Sequence, residues 1–242
     1  MQNHLFSSLR KWLGQFGTTS QLSSLATQYG TDKLAHGYIE HYEHHFAPLR
    51  LRKLNMLEIG VAEGASVNVW RRYFPNSTIH AIDIRDKHQF ASEKVKIYQG
   101  DQNDREFLEQ VSKKANGFDI VIDDGSHISE HVITSFRTLF PLLNPEGIYV
   151  IEDLHTAYWT TYGGQWRNLN SGNTSMNLVK SLLDGLNCHW IPSREPDNFD
   201  QQIRAIHCYP KLAFIYKGEN PVVHRPYELK MMEESLKNAA DD

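Results

Sequence analysis

The stretch FDIVIDDGSHISEH, residues 118–131, ends an apolar run in two adjacent carboxylates, Asp123 and Asp124, followed by a glycine, a serine and His127. Carboxylates hold hard cations, and an imidazole exchanges protons near neutrality. These side-chain types at this spacing therefore suit metal-assisted or acid–base chemistry. A second acidic pair, Glu152 and Asp153, ends the later run GIYVIED. Two more apolar runs, TIHAIDI and VKIYQGD, carry Asp83 and Asp101 at their ends. Any one of these acids could simply cap the helix that follows it. Four such endings along one edge are harder to ascribe to capping alone.

The elements that must position them are legible as an alternation. Apolar runs at 55–60, 78–84, 95–101, 118–124 and 147–153 read as strands, with helical segments at 65–74, 104–115 and 129–142. Strands alternating with helices predict βαβ units and a doubly wound, mostly parallel Rossmann-like sheet. Right-handed crossovers place the loops after the strands on one edge, where such folds bind ligands. IRAIHCY (203–209) and LAFIYKG (212–218), separated by Pro210 and Lys211, predict a closing antiparallel hairpin. The economical division is one domain over 1–242: N-terminal helical additions (1–54), an α/β core (55–218) and a C-terminal tail (219–242).

Composition narrows the function classes. The chain has 242 residues and a formal net charge of −4, which argues against a nucleic-acid partner that would call for a basic face. No apolar run approaches bilayer-spanning length. MQNHLFSSLRKWLGQFG reads as a short amphipathic helix rather than a signal peptide, suited to packing on the domain or on a second subunit of a homo-oligomer. Cys188 and Cys208 lack metal-type spacing and are expected to be reduced, structural and cytoplasmic.

The turn after the first strand, LEIGVAEGAS, holds Gly60 and Gly64, and glycine there lets backbone approach a ligand closely. Asp83 follows Gly60 at roughly the twenty-residue offset at which an acid meets a ribose in nucleotide-binding α/β folds. The dinucleotide fingerprint G-x-G-x-x-G is absent, and an acid-lined cleft suits a cationic ligand such as S-adenosylmethionine better than a pyrophosphate. YGTDK, LEIGVAEG, AIDIRDK, GDQND, FDIVIDDGSH and VIEDLHTAYW together resemble the class I S-adenosylmethionine-dependent O-methyltransferases. More narrowly, they are similar to the metal-dependent macrolide-sugar enzymes of the mycinamicin and macrocin type. The resemblance covers roughly half the chain. It implies that Glu58, Gly60, Asp83, Asp101, Gln102 and Asp123 contact the cofactor. Ala62 stands where methyltransferase turns commonly have their middle glycine. The family's large N-terminal auxiliary domain has no counterpart in these residues, so acceptor pocket and subunit contacts are not carried over.

In such a sheet the fourth and fifth strands are neighbours, about 4.8 Å apart, so Asp124, Glu152 and Asp153 can share one ion. Three carboxylates so close repel unless neutralised, and magnesium or manganese fits their oxygen donors better than zinc. His127 is the candidate general base toward a hydroxyl of a glycosylated or polyhydroxylated small-molecule acceptor. Two other classes remain open: a metal-dependent glycosyltransferase and a non-catalytic methyltransferase-like binding module. His41 and His45 stand at helical metal-ligand spacing but read more simply as a solvated face. Tyr38 and Tyr42 could cover the cofactor. AYWTTYGGQW (157–166) serves equally as core or as an aromatic wall of the acceptor pocket.

Overall fold

The computed structural model describes residues 20–191 and 194–220, with Glu228, Lys230, Met231, Glu234, Leu236 and Lys237 beyond them. The expected N-terminal helix around residues 5–13 lies outside the described residues. The chain groups into two units: residues 1–53 with 63–77, and residues 54–62 with 78–242.

Among the described residues the first unit holds the α-helices α1 (Gln21–Tyr29), α2 (Ile39–Phe46) and α3 (Ala65–Tyr73). Ser20 caps α1 by accepting from the Ser23 N–H at 3.1 Å, and Gly30 ends it in the left-handed conformation, φ 68°. The core of this unit is aromatic: Tyr42 meets Trp70 edge-on at 5.1 Å, and Phe46 packs beside both. Tyr38 and Tyr42, considered above as a cofactor cover, are fully buried in it. His45 is buried as well, not on a solvated face.

The second unit is built on a seven-stranded sheet: β1 (Asn55–Ile59), β2 (Thr78–Asp83), β3 (Val95–Gln99), β4 (Phe118–Asp123), β5 (Leu143–Ile151), β6 (Ile203–Tyr209) and β7 (Leu212–Lys217). The order is β3-β2-β1-β4-β5-β7-β6. The first five strands pair in parallel, and β7 pairs antiparallel with both β5 and β6. This is the expected Rossmann-like sheet with its closing hairpin, and β4 lies beside β5 as the shared-ion argument requires. The order reverses between β1 and β4, which makes the loops after those strands the switch point where such sheets bind ligands.

Helices α4 (Arg105–Ala115), α5 (Ser129–Leu139) and α6 (Ser175–Gly185) belong to this unit. Asp104 caps α4 by accepting from Phe107 N–H at 3.1 Å, and Asn116 closes it at φ 60°. Leu57, Val121, Phe136, Tyr149, Ile151 and Val179 share one buried cluster, the apolar faces of strands and helices together. The fifth strand and the helix before it differ most from expectation. The fifth strand starts at Leu143 and ends at Ile151, leaving Glu152 and Asp153 beyond it, and α5 stops at Leu139, two residues before Pro141. Helix α6 was not anticipated, although Thr174 caps it through the Asn177 N–H and Leu178, Val179 and Leu182 give it a buried face.

Candidate active site

Parallel pairing sets the register of the strand ends. Ile59 pairs with Asp123, and Asp123 with Ile151, so three adjacent strands finish level. Two backbone bonds continue the ladders one step further: Asp124 N–H to the Ile59 carbonyl and Glu152 N–H to the Asp123 carbonyl, both 3.0 Å. The loops that follow therefore start side by side.

Across that edge, Asp124, His127 and Asp153 each place a ligand-capable atom within 4.8 Å of the others, all three partly exposed. His127 Nε2 lies 3.7 Å from Asp153 Oδ2, and His155 Nδ1 lies 3.9 Å from Asp153 Oδ1. Both separations exceed a hydrogen bond, and Asp153 sits between the two imidazoles. Glu152, the third expected metal ligand, is buried with its carboxylate outside this group. Helix α5 begins with Ile128 at its N-cap and no side-chain cap. Asp123 is spent on Gln102, Ser135 and Tyr149 rather than on a helix cap.

His127 and Asp153 both adopt left-handed backbone, φ 58° and 52°. A side chain there costs about 1–2 kcal/mol, and such strain gathers at functional sites. Ala62 is a third case, φ 45°. Its N–H and that of Val61 donate to Asp83 Oδ2 at 3.3 and 3.0 Å, while Asp83 Oδ1 accepts from Arg85 N–H at 2.9 Å. Asp83 thus shapes the turn after β1 and spends three of its roughly four acceptor positions doing so.

Gly60, φ 95°, lets main chain approach main chain at this edge. A Cβ there would stand 2.2 Å from the Asp124 carbonyl oxygen and 3.1 Å from Gly125 Cα. Gln102 and Asp123, expected to touch the cofactor, are buried, and their side chains are engaged within the protein. Gln102 donates to Asp123 at 3.1 Å and accepts from Ser126 N–H at 2.6 Å, anchoring the loop that carries His127. Asp123 also accepts from Ser135, and from Tyr149 at 3.2 Å. Burial pushes the Asp123 carboxyl up, against the pull of Ser135, the nearby His127, Gln102 and Tyr149. Burial beside that carboxylate raises the Tyr149 phenol far above its ordinary value. This geometry gives Gln102 and Asp123 a part in positioning the loop that carries His127. Asp101 lies exposed and accepts from Asn103 N–H at 2.8 Å, and Glu58 is fully buried.

The aromatic stretch after Asp153 splits between the two readings offered for it. Ala157 is buried, whereas Trp159 is 51% exposed and meets His155 edge-on at 4.8 Å. The Tyr162 ring lies 6.4 Å from that of His127. Sequence reasoning overlooked Thr156, a buried residue whose hydroxyl reaches the carbonyls of both His127 and Asp153.

Residues 57–154 match the family model described as a methyltransferase domain, and with the relatives below the chain belongs to that family and carries its Rossmann-like fold. Among curated proteins it is similar to mycinamicin VI 2''-O-methyltransferase of Micromonospora griseorubida, 42% identical over 82% of this chain and 53% of that one. It is also similar to demethylmacrocin O-methyltransferase of Streptomyces fradiae, 41% identical over the same shares. The chain thus spans about half the length of the curated relatives it matches. Among solved structures, the mycinamycin-pathway methyltransferase MycE, in complex with Mg and SAH, superposes with a TM-score of 0.79 at 41% identity, over 84% of this chain and 56% of that one. MycE has also been solved with Mg, SAH and mycinamycin VI (TM-score 0.78, 40% identity, 86% and 57% covered). No helix among the described residues is long and apolar enough to cross a membrane.

Proposed function

We propose that the protein methylates a hydroxyl of a sugar or other vicinal diol on a small natural product, using S-adenosylmethionine and a divalent cation, magnesium or manganese. The observation that carries this reading is the cluster of Asp124, His127 and Asp153 on adjacent strand ends of a methyltransferase domain. The family match favours methyl transfer over the glycosyltransferase alternative. The relatives named as O-methyltransferases of mycinamicin VI and demethylmacrocin support a natural-product acceptor.

The donor set fits the cation. Two carboxylates face one space, with the Glu152 carboxyl on the adjoining residue, and oxygen donors of this kind suit a hard ion. Asp124 and Asp153, those two carboxylates, would hold it. Gly60, the Val61–Ala62 turn and Asp83 would hold S-adenosylmethionine, with Asp83 offering about one free acceptor position to a ribose hydroxyl. When bound, the sulfonium supplies an electrophilic methyl group and the cation lowers the pKa of an acceptor hydroxyl.

The chain's own part in the reaction is proton handling and placement. His127 Nε2 takes the hydroxyl proton, giving an oxygen nucleophile. Asp153 Oδ2, 3.7 Å away, stabilises the imidazolium that results. The exposed face of Trp159 and the Tyr162 ring offer apolar surface on which a sugar ring can rest while its hydroxyl meets His127. The test is transfer of labelled methyl from S-adenosylmethionine to a panel of glycosylated polyketides, with and without magnesium. Full turnover after exhaustive chelation would refute the metal dependence, and transfer to no polyhydroxylated acceptor would refute the acceptor class.

A further inference from the structure

We infer that Thr156 is a positioning residue that latches the loop after β4 to the loop after β5 and so fixes the His127–Asp153 pair. Its side chain is buried, and its hydroxyl lies 3.1 Å from the His127 carbonyl oxygen and 2.8 Å from that of Asp153. One hydroxyl carries one proton, so it serves one carbonyl at a time or is shared. The Asp153 carbonyl already accepts from the Thr156 N–H at 2.9 Å. The hydroxyl proton is therefore worth most on the His127 carbonyl, for which Thr156 is the donor found among the described residues.

What the latch restrains is unusual. His127 and Asp153 are both left-handed without being glycine, and each would relax to ordinary backbone if released. Such relaxation swings the imidazole and the carboxylate away from each other. The same residue also ties in the aromatic stretch, because the Thr156 carbonyl accepts from the Trp159 N–H at 2.8 Å. Thr156 thus joins base, charge partner and acceptor wall without itself facing the reacting atoms. The inference that this serves catalysis rests on the function proposed above; the inference that it holds the loops does not.

Two variants separate the hydroxyl from the packing: Thr156→Val keeps shape and loses the donor, while Thr156→Ser keeps the donor. In the protein without ligands, amide hydrogen exchange over residues 125–128 and 153–156 should quicken by roughly tenfold or more in Thr156→Val and return to near wild type in Thr156→Ser. Mn2+ affinity measured by calorimetry should fall about tenfold in Thr156→Val, and turnover 10- to 100-fold, with S-adenosylmethionine affinity held within about twofold. Thr156→Ser should restore both to within about threefold. Wild-type exchange in Thr156→Val, or equal losses in the two variants, overturns the latch. A lower melting temperature with unchanged Mn2+ affinity and turnover overturns its catalytic role. Should Thr156→Val fail to fold, Thr156→Ala takes the same exchange measurement and wild-type exchange there is equally fatal. A wild-type protein that binds neither Mn2+ nor S-adenosylmethionine would instead sink the proposed function, leaving exchange to judge the latch.

Discussion

Gly60→Ala tests whether the site is held by backbone packed on backbone. Gly60 has φ 95°, outside the range side chains tolerate, so alanine costs about 1–2 kcal/mol before any contact is considered. Its Cβ would then stand 2.2 Å from the Asp124 carbonyl oxygen, against a 3.0 Å limit that real Cβ atoms essentially never cross. The obstacle is main chain, and that main chain is pinned by the Asp124 N–H bond to the Ile59 carbonyl. Either the loop or β1 must move by at least the 0.8 Å difference between those two distances. Overpacking of this kind adds about 1–3 kcal/mol, so the whole penalty is about 2–5 kcal/mol. For a protein of this size that lowers Tm by roughly 5–15 °C. The displaced segment carries Asp124, so a shift approaching 1 Å should also cost on the order of 100-fold in turnover. Thermal unfolding followed by single-turnover methyl transfer reads both. A Gly60→Ala protein with wild-type Tm and turnover would refute the close approach and the reasoning built on it.

Three further outcomes follow from the same geometry. His127→Ala should retain Mn2+ and S-adenosylmethionine in calorimetry yet lose about 10²–10⁴ in turnover, and a loss under threefold would assign the base elsewhere. Asp83→Ala removes acceptors from three backbone N–H groups, so it should weaken S-adenosylmethionine binding by roughly 10- to 100-fold and also destabilise the turn; unchanged calorimetric affinity would place the cofactor elsewhere. His80 is buried against Tyr98, and burial followed by the charge of Lys96 lowers its pKa to about 4, so the unfolded chain takes up a proton near pH 6.5 that the folded one refuses. Stability should therefore be full above about pH 6.5 and fall by about 3 kcal/mol as pH drops toward 4, and urea titrations of His80→Gln should show that part of the slope removed.

How much of this could be read beforehand depends on whether the determinant is local. Apolar runs, helix periods and the two-residue hairpin turn are local, and the sheet order then follows from handedness and sequential pairing. The acidic strand ends were legible because parallel strands finish on one edge. The left-handed backbone at His127 and Asp153 was not, since only glycine advertises that conformation in a sequence. The inward turn of Gln102 and Asp123 was likewise hidden. It depends on Ser126, Ser135 and Tyr149, partners more than ten positions away from at least one of the pair. Helix α6 was hidden because it follows a long polar, glycine-containing stretch with the composition of a loop. Gly60 was legible as a position of close approach, but the backbone at Asp124 as an approaching group was not.

The strain and the hydrogen bonds around this edge form one argument. Ala62, His127 and Asp153 follow β1, β4 and β5, and each departs from ordinary backbone where a functional side chain or turn must be aimed. At about 1–2 kcal/mol apiece, the three together cost about 3–6 kcal/mol, a sizeable part of the net stability of a typical domain. A fold keeps such a cost only where its surroundings over-determine the conformation. Here the determinants are named: Asp83 holds the Ala62 amide, Gln102 holds the Ser126 amide, and Thr156 reaches the carbonyls of His127 and Asp153. Behind them Asp123 is locked among Ser135, Tyr149 and Gln102 at the level where the strands end. The loops are thereby ordered in advance, and ordering completed during folding need not be repeated on binding. That places the site's precision in residues that never touch the reacting atoms. Substitutions one layer behind Asp124, His127 and Asp153 should consequently damage turnover more than their effect on stability alone would suggest.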